Sequence, residues 1–196
     1  MWDLPLSVEI DGTEYKIRNK CDYRVVLDVV SALNDKELDD DSKLKCALFI
    51  FYEDLSALSE IVESGEFEKY QDTIKKLYDG MMKVINLGAE IDPNEPEKPK
   101  MMDWEHDYNS VTPPISRVLG YSVRDKNNYT HWYDFIGAYM EIGDCYFAQI
   151  ISIRSKIRKG KKLDEQDSQF YKEHKKEIDL PTELSDEERE WLDSDW

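Results

Sequence analysis

One stretch limits the folds open to this 196-residue chain more than any other. Phe67, Tyr70, Ile74, Leu77, Tyr78, Met81 and Ile85 recur at steps of mostly three and four, with charged residues between them. An α-helix brings such positions onto one side, and a stripe of that width must be buried against other elements. Gly80 weakens the helix by about 1 kcal/mol relative to Ala, and Gly88 stops it. The chain is therefore expected to be built from packed helices.

Shorter stripes flank this one. Asp22 is placed to cap a helix through Ala32, with Val26, Leu27, Val30 and Leu33 on one stripe. Ser42 is placed to cap the next, whose stripe of Leu44, Ala47, Leu48 and Phe51 is expected to continue helically through Leu55, Leu58, Ile61 and Val62 to Gly65. Trp104, Tyr108 and Val111 predict a short helix. Thr112 then caps a new one, with Pro113 at its first position and Ile115, Val118 and Leu119 inward. Residues 129–142 read as helical through Trp132, Phe135, Ile136 and Tyr139. Asp144 caps a helix burying Phe147, Ile150, Ile151 and Ile157, and Asp164 to Lys176 forms a polar helix with Phe170 inward.

The start of the chain follows a different period. Leu6, Val8 and Ile10 alternate with Ser7 and Glu9, and Asp11-Gly12 follows. A two-residue loop of this kind takes a type I′ turn, pairing Val8 with Tyr15 and Leu6 with Ile17. Pro93, Pro96 and Pro99 lie among charges and mark a linker. From Glu177 onward the chain is almost wholly acidic, with Leu184, Trp191 and Leu192 at spacings a short helix can use. The expected architecture is mainly α with a small N-terminal β-hairpin. Two helical lobes, 1–90 and 103–176, are joined by a Pro-rich acidic linker at 91–102 and followed by an acidic C-terminal tail at 177–196.

The formal net charge is −17, which opposes nonspecific binding to phosphate backbones and anionic membranes. No apolar run approaches the roughly 20 residues that span a bilayer, and no basic-then-apolar leader opens the chain. Cys21, Cys46 and Cys145 have no paired spacing and read as small buried hydrophobes in a reducing compartment. A cytoplasmic protein is expected, with neither nucleic acid nor membrane as its partner.

Three clusters bear on chemistry. Asp103, Glu105, His106 and Asp107 are hard-metal ligand types, but contiguous helical residues point in different directions. The expected arrangement is Asp103 capping a helix, Trp104 packed inward and the acids solvated. His131 beside Trp132 lacks a spaced nucleophile or a Gly-rich phosphate loop, so it is read as tying a loop at a helix start. Arg154, Lys156, Arg158, Lys159, Lys161 and Lys162 form the basic cluster. Without interleaved aromatics it fits a helix end and an acidic partner, this chain's own tail included, better than nucleic acid. No catalytic residue, metal ligand or cofactor is assigned. Candidate interaction residues are Trp104, His131, Trp132, Arg154, Lys161, Lys162 and Trp191.

The order of several segments resembles a bacteriophage family, the "Gp-fifteen" proteins of siphophages infecting Gram-positive bacteria. The matching segments are Asp103 to Asp107, Arg117-Val118-Leu119-Gly120, His131 to Phe135, Ile150 to Arg154, and Gly160 to Leu163 followed by Phe170-Tyr171. Leu4-Pro5, Ser7 to Gly12 and Tyr15 add to them. The resemblance spans most of residues 3–175 and implies an unbroken helix where Pro113-Pro114 stands. It implies a non-enzymatic tail-assembly chaperone acting in the host bacterial cytoplasm. Its expected partner is the tape measure protein, with the tail-tube protein as a second candidate and homo-oligomerisation left open. The alternative is a structural or adaptor subunit retained in the tail.

Overall fold

Asp11 and Gly12 both take positive φ (50° and 81°), the backbone a type I′ turn demands. They join β1 (Ser7–Ile10) to β2 (Thr13–Lys16) in the expected register, Val8 opposite Tyr15, while Ile17 N–H donates to the Leu6 carbonyl at 2.9 Å. This computed structural model describes residues 3–89 and 100–181. Among them are the hairpin and nine α-helices. None of these helices is long and apolar enough to cross a membrane. The chain divides into two compact units, Met1–Glu97 with Ile115–Glu141, and Lys98–Pro114 with Ile142–Trp196.

In the first unit, β1 packs on α4 (Phe67–Ile85), α1 (Tyr23–Asn34) on α2 (Asp40–Phe51), and α3 (Ser56–Glu63) on α4. Tyr15, Ile17, Val26, Leu48, Phe51, Tyr52, Leu77 and Met81 form its interior. The Tyr52 hydroxyl donates to the Leu77 carbonyl at 2.8 Å, which lets a phenol sit at the centre without an unmet polar group. The long α2 expected through Val62 is instead broken. Tyr52 leaves the helix to bridge Ile17, and Asp54 accepts from Ser56 N–H at 2.8 Å to start α3. Asp39, not Ser42, caps α2, accepting from Ser42 N–H at 2.9 Å.

Residues 115–141 belong with the first unit, whereas the sequence placed them in a second lobe. Their connecting loop explains this. Arg24, at the start of α1, donates to the carbonyls of Val123, Asp125 and Asn128 at 2.6, 3.0 and 3.1 Å, and Tyr23 Oη donates to Val123 O at 2.8 Å. One arginine thereby satisfies a loop that has no ladder of its own. α6 (Trp132–Met140) then packs on α1, with Phe135 stacked on Tyr23 at 4.1 Å between ring centroids.

α5 (Trp104–Leu119) is a single helix containing Pro113 and Pro114, where residue patterning predicted a break at Thr112. Neither proline can donate to the carbonyl four residues back, a cost of about 3 kcal/mol each in a helix interior. Burial of Val111, Thr112 and Ile115 works against that cost, and Thr112 Oγ1 donates to Tyr108 O at 2.6 Å. The division between units falls inside this helix, between Pro114 and Ile115.

The second unit holds α7 (Tyr146–Arg158), α8 (Glu165–Glu173) and the short α9 (Lys175–Ile178). Ile150, Ile153 and Ile178 form a core backed by Leu163, Phe170 and Tyr171. Ile178 is buried, so the acidic stretch expected from Glu177 begins inside packed structure. α7 is capped by the Cys145 thiol rather than by Asp144. Residues 91–99 of the expected linker and 182–196 of the expected tail, Trp191 among them, lie outside the described residues.

Candidate partner-binding groove

The run Cys46-Ala47-Leu48-Phe49-Ile50-Phe51 is apolar on more sides than one interface covers. Ala47, Leu48 and Phe51 turn to the core. Cys46 and Phe49, three residues apart and so on one face, are exposed, Phe49 to 62%. Cys46 is therefore not the buried hydrophobe its neighbours suggested. α2 ends beside this face because Arg18 takes its last carbonyls, donating to Phe49 O at 2.9 Å, Ile50 O at 3.0 Å and Tyr52 O at 2.8 Å.

The stripe of α4 also outruns the core beneath it. Leu77 and Met81 are fully buried, Tyr70 and Ile74 half-buried, and Phe67 exposed. Between the exposed face of α2, the Tyr70–Ile74 turn of α4, and α3 with the turn that leads into it lies a groove of roughly 520 Å³. Its buried lining is Leu48, Tyr52, Leu55 and Leu58; its accessible lining is Phe49, Val62, Tyr70 and Ile74. A concave, mainly apolar site of this size suits ligand or side-chain binding.

Charge on its border is uneven. Lys45 is paired with Asp41, whose hydrogen bond holds the ammonium above its ordinary range. Arg18 is engaged by the carbonyls just described. Of the border carboxylates Glu53, Asp54 and Glu63, Asp54 is held below the usual carboxylate range by the Ser56 backbone N–H. Neither Glu53 nor Glu63 has an ion-pair partner among the described residues.

None of the candidate interaction residues among the described residues lines this groove. His131 and Trp132 lie in the first unit, Trp104, Arg154, Lys161 and Lys162 in the second. His131 is buried and caps α6. Its Nδ1 accepts from Tyr133 N–H at 3.0 Å, so the proton sits on Nε2, which donates to Pro5 O at 3.2 Å. Trp132 is buried and donates from Nε1 to Ile85 O at 2.8 Å. Trp104 is half-buried in the first turn of α5.

Arg154 leaves the surface cluster altogether. It is buried, donates twice to Asp107 at 2.7 and 2.8 Å, and reaches the carbonyls of Met101, Glu177 and Ile178. Asp107 is buried too, against the expectation of solvated acids, because it receives both the guanidinium and the Asp103 N–H at 3.0 Å. Asp103 does cap α5, accepting from Glu105 and His106 N–H groups at 3.0 and 2.9 Å. Lys156 pairs with Asp167, which leaves Arg158, Lys159, Lys161 and Lys162 as the exposed part of the basic run.

Two signals for the groove were present in the sequence: an apolar run too wide for one helix face, and a helical stripe longer than its neighbours cover. A protein-family model described as Bacteriophage Gp15 protein matches residues 1–180. No curated protein and no solved structure matches the chain.

Proposed function

The chain belongs to the Bacteriophage Gp15 protein family, and we propose that it is a non-enzymatic tail-assembly chaperone that holds the tape measure protein in the host cytoplasm. Family membership supports a structural or assembly role in the phage. The observation that carries the finer reading is the apolar groove of the first unit, where Phe49 and Val62 remain exposed on an otherwise strongly acidic protein. A long helical client needs its apolar face covered before tail-tube subunits surround it. A groove that accepts an amphipathic helix supplies that cover, and the −17 charge keeps the complex dispersed.

Co-expression with the tape measure protein tests this reading. The pair is expected to co-purify, the client to precipitate when expressed alone, and purified phage tails to lack this chain. Stoichiometric copies in the finished tail, with no effect on client solubility, would identify a structural subunit instead.

A further inference from the structure

The groove also specifies the chemistry of what enters it. We infer that its occupant is an amphipathic helix with an apolar stripe and basic flanks. This deepens the chaperone reading and rests on it. The apolar part of the requirement follows from the accessible lining of Phe49, Val62, Tyr70 and Ile74, whose exposed surface is mainly apolar. Matching it takes residues at i, i+3, i+4 and i+7 on one helix face.

The basic part follows from what remains uncompensated at the border. Lys45 and Arg18 are the two cations there; Lys45 is paired with Asp41, and Arg18, which donates to the neutral carbonyls ending α2, leaves one positive charge to set against the acids. Glu53, Asp54 and Glu63 are the three acids, all exposed, and outnumber that charge. The field of the whole chain has the same sign. An acidic helix entering the groove meets like charge on both counts, whereas lysines beside its apolar stripe meet carboxylates.

Two synthetic peptides sharing one leucine stripe, one flanked by lysines and the other by glutamates, test this against the full-length chain by fluorescence anisotropy. The lysine peptide is expected to bind about tenfold more tightly than the glutamate peptide, with the difference shrinking as salt rises. Phe49→Glu replaces an exposed side chain, so the fold should persist by circular dichroism while lysine-peptide binding falls about tenfold or more. Glu53→Lys with Glu63→Lys should reverse the preference between the peptides. Equal binding of both peptides, or binding indifferent to Phe49→Glu, overturns the inference. So does a shift of the parent from dimer to monomer on Phe49→Glu, which would assign the face to a second copy. If Phe49→Glu still co-purifies with the tape measure protein, the groove assignment fails and the chaperone reading stands. If the parent binds the lysine peptide but never retains the tape measure protein, the reverse holds.

Discussion

Asp22 and His131 face each other in an antiparallel bridge, and each caps the helix that begins one residue later. Flanking hydrogen bonds run both ways, Tyr23 N–H to Thr130 O and Trp132 N–H to Cys21 O, each 2.9 Å. The Asp22 carboxylate accepts from Arg24 N–H at 3.0 Å, from the Arg24 guanidinium, and from the buried Thr130 N–H at 3.2 Å. One short bridge thus fixes where two helices start and ties residues more than a hundred positions apart. Loss of a cap costs about 0.5–2 kcal/mol, and stranding a buried N–H costs about 1–3 kcal/mol. Asp22→Ala is expected to lower stability by about 2–3 kcal/mol in urea unfolding. Asp22→Asn keeps the acceptor and should lose less than half as much. Equal losses in the two variants would show that the carboxylate charge, not the cap, matters.

Arg154 makes a second, separate prediction. Its partner Asp107 is buried with it, so removing either leaves an uncompensated charge inside the second unit. Breaking such a pair costs about 3–5 kcal/mol, while replacing both members with apolar residues of similar volume is often neutral. Arg154→Ala should therefore destabilise strongly. Arg154→Met with Asp107→Leu should recover much of the loss, though the carbonyls of Met101, Glu177 and Ile178 lose their donor in both. A double variant no more stable than Arg154→Ala would show that those carbonyl contacts dominate.

High pH should weaken the first unit through Cys21. Burial, with Asp22 adding to it and a hydrogen bond with the Trp132 backbone opposing, pushes the thiol from 9.0 up to about 12. The unfolded chain then releases this proton at lower pH than the folded chain. The stabilisation is fully present below about pH 9 and is lost as pH rises to about 12. Buried phenols such as Tyr52, also raised by burial, act in the same direction. The difference between the parent and Cys21→Ala isolates the thiol: the variant should lose stability less steeply between pH 9 and 12. Parallel pH profiles would remove Cys21 from the account.

Local pattern carried the hairpin, its register and the inner faces of most helices, because each rests on neighbours within a turn. The Asp22 cap was legible for the same reason. The helix breaks were not. Tyr52 ends α2 by pairing with Ile17, and Arg18 holds the freed carbonyls, contacts about 30 residues apart that no window of sequence displays. Arg154 was misplaced for the opposite reason. It sits in a run of surface cations, and Asp107, 47 positions earlier, together with the carbonyls of Met101, Glu177 and Ile178 makes its burial tolerable. The groove was half legible: excess apolar surface on α2 and α4 could be counted, but not that the two surfaces would border one concavity.

Gly80 shows how the fold can reverse a local reading. By helix propensity alone, Gly80→Ala should stabilise α4 by about 1 kcal/mol. β1 crosses α4 at this residue, and a Cβ built there would stand 2.6 Å from Val8 Cγ1 and 3.4 Å from the Tyr52 hydroxyl. Forcing such overlap typically costs about 1–3 kcal/mol, as strand or helix must shift. The two effects oppose each other, and steric overlap is expected to win, giving a net loss of about 1 kcal/mol. Val8→Ala removes the clashing methyl and leaves Cβ of residue 8 at 3.6 Å, ordinary contact. In that background Gly80→Ala should become neutral or stabilising, so a double-mutant cycle should report favourable coupling of about 1–2 kcal/mol. The same cycle measured by urea unfolding has a decisive alternative. If Gly80→Ala changes stability equally in the presence and absence of the Val8 methyl, β1 does not approach α4 as closely as described.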